Sequence, residues 1–523
     1  MKPERKFAAN KVYALAFGLF LGLAFWKFGN PVILDKKIIP PATPSEFWHD
    51  AWPTHWAIQI LLPVVMVGVL VIFKNKPHWT ARRWLWLLPL LWLGWRLVSA
   101  SHLVGADLTA ATLWELFGCV ACYFAGALVL NRGNTLLWLL PLFWFGWQLI
   151  SATQSVDADL TTATVWQLFG CVTCYFVGAL ILKRETALRW LLVGVLAAFA
   201  FCLVRAVDQR LVEFPQSHQM LVEGEREGWT NVPPAMLLEM KQEQVVITTN
   251  GADVANPVYL KKFAQGRVMG TLVYPNALAG AILLLLPVSL TLALGTKKMR
   301  PAIQAIVIAT TCLLGGMGLF WSGSKLGWLI AMGVGGLYLL RVKWPARLKF
   351  TVLAVVAILG LGIFAVRFHN YFAAGATSVG ARFDYWRAVV QTTAGNPLTG
   401  TGPGTFQRPY AQIKSPEAEM ARLAHNDYLE QFSDSGIPGG IFYAVWIALA
   451  LISIGRKIWK SDIQAGGPPT LRFAIFIGLF GWFIQGIGEF SLYIPALAWT
   501  AFTLLGCSLA LTGNQFDKKP AAG

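Results

Sequence analysis

The stretch Ala424-His425-Asn426-Asp427-Tyr428-Leu429-Glu430 carries the most suggestive chemistry in this chain. A neutral imidazole accepts a proton near pH 7, so His425 is a candidate general base. Asp427 and Glu430 are rival bases. They share a helical face with each other more readily than with His425, so no local histidine–carboxylate pair is expected. Upstream lie Arg382-Phe-Asp384-Tyr385-Trp386-Arg387 and a glycine turn, Gly400-Thr-Gly402-Pro403-Gly404-Thr-Phe406. The spacing predicts an amphipathic helix over Ser378 to Val390, with Arg382, Tyr385, Trp386 and Val389 on or near one face. At a membrane interface such a helix presents cations to a lipid phosphate. Two further segments add polar groups. Lys325, in Ser322-Gly-Ser324-Lys325, stands at the edge of an apolar run, where it snorkels or meets an anion. Arg267 precedes Pro275-Asn276, and Asn276 either caps the helix that starts there or contacts a polar substrate.

The elements that must position these residues are membrane spans. The chain is 56% hydrophobic and 13% charged, about half the charge a soluble domain of this length carries. Apolar runs long enough to cross roughly 30 Å of hydrocarbon recur from end to end, and we count about fourteen. They start near Val12, Trp56, Trp84, Ala111, Thr135, Ala163, Leu188, Leu272, Ala302, Leu326, Leu348, Ile437, Phe473 and Leu492. The first follows a basic start without a small-residue cleavage site, so it reads as an uncleaved span. The net charge of +17 does not point to nucleic acid, because its cations cluster in alternate short connections. Examples are Lys183, Arg184 and Arg189; Lys297, Lys298 and Arg300; and Arg456, Lys457 and Lys460. The intervening connections, with Asp157, Asp159 and Glu489, are poor in cations. This positive-inside pattern predicts an even number of spans with both termini cytoplasmic.

The expected class is therefore an all-α polytopic integral membrane protein with two large non-cytoplasmic loops. Residues 1–205 form an N-terminal bundle and 206–270 the first loop. Core helices follow over 271–366, the chemistry-bearing loop over 367–436, and the last helices and tail over 437–523. The bundle holds a duplicated hairpin, 84–131 and 136–183. Trp86-Leu-Leu-Pro-Leu-Leu-Trp-Leu-Gly-Trp95 recurs as Trp138-Leu-Leu-Pro-Leu-Phe-Trp-Phe-Gly-Trp147. Its pairs Cys119/Cys122 and Cys171/Cys174 imitate a zinc pattern. They lie inside apolar spans without a turn glycine between them and read as packing residues.

In order, the segments Gly270-Thr…Pro275-Asn276-Ala-Leu-Ala279, Ser322-Gly-Ser-Lys325, Arg382…Trp386, Gly400…Phe406 and His425-Asn-Asp-Tyr-Leu429 resemble the O-antigen ligase and polymerase superfamily. The resemblance covers about Arg267 to Ala510. It implies a GT-C-like architecture and a multi-pass enzyme of the bacterial inner membrane with both loops in the periplasm. Such enzymes move a glycan from a polyprenyl pyrophosphate donor to an acceptor hydroxyl, with inversion and without a metal or other cofactor. It implies that His425 and Arg382 are catalytic, and that Lys325, Arg387, Arg267, Asn276, Asn426 and Tyr428 bind substrate. Partners would be the lipid-linked donor, a glycan or lipid A-core acceptor and membrane lipids, with no nucleic acid. The family's usual Ser-Arg-Gly is Ser324-Lys325-Leu326 here, which keeps the charge and loses the bidentate fork. A transporter or flippase of lipid-linked glycans is the alternative and predicts ionisable residues deep in several spans. Arg96 and Glu115 are the main cases. A non-enzymatic scaffold would leave His425 dispensable.

Overall fold

A computed structural model describes residues 3–74, 135–296, 299–342, 344–373, 375, 377–460 and 469–513. The first hairpin copy, with Cys119, Cys122, Arg96 and Glu115, lies outside the described residues, as do Lys297 and Lys298. The chain opens with α1 (Pro3–Lys27), the short α2 (Pro44–His49) and α3 (Thr54–Lys74). The second hairpin copy is α4 (Thr135–Ala152) and α5 (Ala158–Leu180). Next come α6 (Glu185–Asp208), α7 (Phe214–Arg226), α8 (Pro234–Gln242), the strands β1 (Val246–Thr249) and β2 (Ala252–Ala255), and α9 (Pro257–Gln265). The remaining helices are α10 (Pro275–Gly295), α11 (Pro301–Ser322), α12 (Lys325–Arg341), α13 (Ala346–Ala373), α14 (Thr377–Gly395), α15 (Gln407–Ile413), α16 (Asp427–Ile458), α17 (Leu471–Gln485) and α18 (Pro495–Gly513).

Among the described residues, 8 helices are long and apolar enough to cross a membrane, and Leu136–Ala152, Leu471–Gln485 and Pro495–Leu511 are shorter apolar helices. The chain is thus a mostly helical, polytopic membrane protein. Its helices close on one another where side chains vanish. A Cβ on Gly194 of α6 would lie 2.4 Å from the carbonyl carbon of Gly18 on α1, and one on Gly506 of α18 would lie 2.1 Å from the Tyr175 carbonyl oxygen of α5. In hydrocarbon, where burying apolar surface gains nothing, such backbone approach supplies the packing. The periphery is the opposite case. None of the apolar window of α13 is buried within the protein, so its face is left for lipid.

The segment 206–270, expected as a loop, is folded. Helix α6 runs through a π turn at Gln209–Glu213 into α7. The resulting helix of 42 residues is about 60 Å long, roughly twice the hydrocarbon thickness. Antiparallel β1 and β2, with Val246 opposite Ala255, close a small core of Leu221, Trp229, Met240, Val246 and Ala255. The second segment also departs from expectation, because α13 continues past Arg367 to Ala373. The amphipathic helix expected over Ser378–Val390 is α14. Its apolar face packs inside the protein, where Tyr385, Ala388 and Val389 join Phe406, Tyr410, Ala421 and Ala424. Helix α16 is bent at Ser435 and Gly436, just before the expected span start at Ile437.

The second hairpin copy braces this region. Trp144 Nε1 and Gln148 Nε2 donate to Gln431 Oε1 at 3.0 and 2.9 Å. Gln148 also donates to Ser435 Oγ, and Ser151 to the Asp434 carbonyl. Thr161 donates to the Pro403 carbonyl of the glycine turn, and Gln167 to the Leu492 carbonyl. Cys171 and Cys174 are buried and free. By the repeat register, the first copy has Trp92, Trp95, Ser99 and Thr109 at the places of Trp144, Trp147, Ser151 and Thr161. It has Arg96 in place of Gln148 and Glu115 in place of Gln167. Gln148→Arg would bury an unpaired guanidinium against Gln431, at a cost of about 3–5 kcal/mol. Thermal unfolding in detergent should show a large loss of stability. An unchanged melting temperature would mean that these amides brace nothing.

Candidate functional site

Three segments distant in sequence meet near the N-terminal ends of α10, α14 and α16, and a fourth closes the site. That fourth is the connection between α17 and α18, which carries Glu489. Its carboxylate is 3% exposed. Glu489 Oε1 accepts hydrogen bonds from Arg382 Nη2 at 2.6 Å and Asn276 Nδ2 at 2.7 Å. Its other oxygen, Oε2, faces His425 Nδ1 at 3.7 Å. That separation exceeds a hydrogen bond, and both atoms are buried without one.

His425 is held by what flanks it. Its φ of +51° lies in the left-handed region, which a non-glycine residue enters at a cost that the surrounding contacts must offset. Ala424 N donates to Glu430. The Asn426 side chain caps α16 by accepting from the amides of Tyr428 and Leu429 at 3.0 and 2.9 Å. The Asp427 amide donates to the Gly486 and Glu489 carbonyls, and the Asp427 carboxylate accepts from Leu492 N. The imidazole sits among rings, with Phe490 edge-on at 4.8 Å, Tyr385 stacked at 5.8 Å and Tyr274 at 6.2 Å between centroids. Burial pushes the Tyr385 phenol above its ordinary pKa, so it stays neutral beside the histidine.

The glycine turn is fixed to α16 by Asp434, whose Oδ2 accepts from Gly404 N at 2.6 Å and from Tyr493 Oη at 2.9 Å. Gly404 has a φ of +74°, and a Cβ there would lie 2.0 Å from Thr164 Oγ1 of the brace. A side chain fits neither the backbone conformation nor the space.

Cations surround Glu489. Arg267 donates from Nε to the Ser322 carbonyl at 2.8 Å and from Nη2 to Asn276 Oδ1 at 3.0 Å. Burial, with the repulsion of Arg367 and Arg382, lowers its pKa from the ordinary arginine value. Lys325 opens α12 behind the Ser324 cap and lies within electrostatic reach of Arg267, Arg382, Arg367 and Glu489. Its Nζ stands 3.7 Å from the Tyr371 ring centroid. Arg367, from the end of α13, lies over Phe320 at 5.5 Å. Among the described residues Arg382 is the member of this group with an ion pair. The surplus positive charge suits an anion, and the adjoining imidazole suits proton transfer.

Of the residues expected from sequence, the structure therefore brings together His425, Arg382, Arg267, Asn276 and Lys325. Asn276 links Arg267 to Glu489 rather than capping its helix. Arg387 is exposed one turn beyond Arg382. The Asn426 side chain serves the helix cap, and Tyr428 Oη donates to the Phe483 carbonyl at 3.1 Å. Sequence reasoning missed Glu489 and Arg367. Glu489 was visible only as the acid of a cation-poor connection, and Arg367 only as the first residue of an expected loop.

The fold and site define a polytopic membrane protein with a cationic, histidine-bearing centre where the ends of several helices meet. Residues 310–444 match the family model described as O-Antigen ligase. That segment, from α11 into α16, includes Lys325, Arg367, Arg382, the glycine turn and His425, and its match supports a likeness to the O-antigen ligase-like superfamily. Arg267, Asn276 and Glu489 lie outside it. No curated protein matches the chain at a significant level.

Because Glu489 accepts from Arg382 and faces the histidine, Glu489→Gln should loosen the arginine and neutralise the carboxylate. Activity should fall by about 10–10²-fold, by analogy with the outer-shell partners that orient metal-binding side chains. Wild-type turnover would leave Glu489 as packing alone.

Proposed function

We propose that this protein is a bacterial inner-membrane glycosyltransferase of the O-antigen ligase or polymerase type. It would take a glycan from a polyprenyl pyrophosphate and pass it to an acceptor hydroxyl on the periplasmic side. The observation that carries this reading is the His425–Glu489–Arg382 arrangement, one buried carboxylate that binds a guanidinium through one oxygen and turns the other to a histidine. The Glu489 carboxylate facing Nδ1 favours the tautomer with its proton there, which leaves Nε2 to accept a proton. The acceptor hydroxyl attacks the anomeric carbon and its proton passes to His425. The bond from that carbon to the pyrophosphate oxygen breaks, and its electron pair leaves with the pyrophosphate. Arg382, Arg267, Lys325 and Arg367 neutralise the departing charge. A pyrophosphate needs little protonation to leave, so this scheme calls on no metal. One displacement inverts the anomeric centre.

The acceptor is a lipid A-core or a growing glycan, as the superfamily suggests. The cation distribution supports both termini in the cytoplasm and the segments 206–270 and 367–436 in the periplasm. Thiol labelling of single cysteines placed in those segments should succeed from outside, and labelling near Arg456–Lys460 should not. Opposite labelling of the His425 segment would remove the mechanism along with the topology.

With purified protein, lipid-linked donor and acceptor, His425→Ala should cut transfer by about 10²–10⁴-fold, the contribution of a positioned general base. Donor binding should persist, because the cations carry it. His425→Gln should not rescue, since an amide does not take up the proton. Lys325→Arg should be tolerated, whereas Lys325→Ala and Arg382→Ala should weaken donor binding. Near-wild-type transfer by His425→Ala sinks the base assignment.

A further inference from the structure

Helix α10 has polar surroundings at both ends. Asn276 opens it at the candidate site. Its other end, roughly 25 Å away along the helix axis, borders a separate cavity of about 330 Å³. Glu185 and Arg189 of α6, Thr291 and Leu292 of α10, and Thr470 and Arg472 of α17 line that cavity. Two arginines against one glutamate leave one positive charge in its wall. Arg189 Nη2 donates to Glu185 Oε1 at 2.9 Å. Both side chains are exposed, and such a pair holds its partners weakly. Arg472 has no ion pair among the described residues. Thr470 Oγ1 caps α17 by accepting from Phe473 N at 3.2 Å. The first-turn amides of Leu471 and Arg472 have no carbonyl of their own helix to bond. A third guanidinium, Arg341 at the end of α12, lies over the Phe473 ring at 5.6 Å.

The apolar surroundings are those of a lipid headgroup. Trp190 and Val193 of α6 and Leu294 of α10 neighbour the lining residues in sequence and are exposed. Both helices are apolar enough to span a membrane, so these side chains meet acyl chains, and an indole at a span end sits at headgroup level.

We infer that this cavity binds a phosphate ester, and that its occupant is the headgroup of an anionic phospholipid from the surrounding leaflet. The phosphodiester lies between Arg472 and the first-turn amides of α17, and Arg189 turns to it from Glu185. Charge complementarity selects the headgroup. One net negative charge cancels the one unmatched positive charge, whereas a zwitterionic headgroup brings its own ammonium and leaves that charge uncancelled. The volume falls at the small end of the range for ligand pockets, which suits a headgroup whose tails stay outside. Bound there, the lipid joins α6, α10 and α17 at ends remote from the candidate site.

The test uses the full-length protein in phosphatidylcholine vesicles doped with phosphatidylglycerol that carries a photoreactive headgroup. Crosslinks should map to residues 185–193, 291–295 and 469–472. Excess phosphatidylglycerol should suppress them, and excess phosphatidylcholine should not. Millimolar inorganic phosphate should leave them unchanged. Arg472→Gln should raise the lipid concentration for half-maximal crosslinking about tenfold, the loss of one charge-assisted contact. Glu185→Gln should lower it, because the competing carboxylate is gone and Arg189 is released. That expected gain separates lost binding from a damaged fold. Crosslinks confined to other segments, or suppression by phosphatidylcholine, would overturn the inference. So would an Arg472→Gln curve that overlays the wild type, or weaker crosslinking in Glu185→Gln. Suppression by inorganic phosphate would assign the cavity to a free anion and overturn the lipid.

Discussion

A single buried carboxylate organises the site. Glu489 is buried away from the surface, so its charge must be met by the protein. Arg382 and Asn276 meet one oxygen, and the other is turned to His425. Asn276 in turn fixes Arg267. The ends of α10, α14, α16 and the α17–α18 connection are thereby drawn to one point. If the carboxylate is removed, the nearby positive charges have only each other, and the histidine has nothing to set its tautomer.

Rigidity around that point is built from hydrogen bonds rather than from hydrophobic force. Within a bilayer, apolar surface gains little by leaving lipid, so helices associate through close backbone contact and buried polar pairs. Both devices appear here. Glycines let α1 approach α6 and let α5 approach α18. The polar rungs of α4 and α5, chiefly Gln148, Ser151 and Thr161, reach across to α16 and the glycine turn. A hairpin that is structural in composition thus bears directly on the geometry of the site.

The site is also asymmetric in its surroundings. On one side lie the tightly packed α10, α16, α17 and α18, with Trp446, Trp482 and Trp499 almost fully buried. On the other lie α11–α13, which leave apolar surface outward. Such an arrangement keeps the polar groups of the site fixed while the opposite wall turns its apolar surface outward.

The sequence by itself determined that the chain is a helical membrane protein, because charge density and the length of apolar runs are one-dimensional properties. It also singled out segments that meet at the candidate site. The glycine turn, the arginine helix and the histidine segment are local patterns, and α14 appears where its periodicity put it. The sequence could not reveal that 206–270 folds into a core with a β-hairpin, because that core depends on contacts such as Trp229 with Asp253. Nor could it reveal that the histidine's carboxylate comes from Glu489 and not from Asp427 or Glu430. Those neighbours are spent on backbone amides of Leu492 and Ala424. The choice among carboxylates follows from which helix ends meet in space, and only the tertiary packing of α10, α16, α17 and α18 decides that.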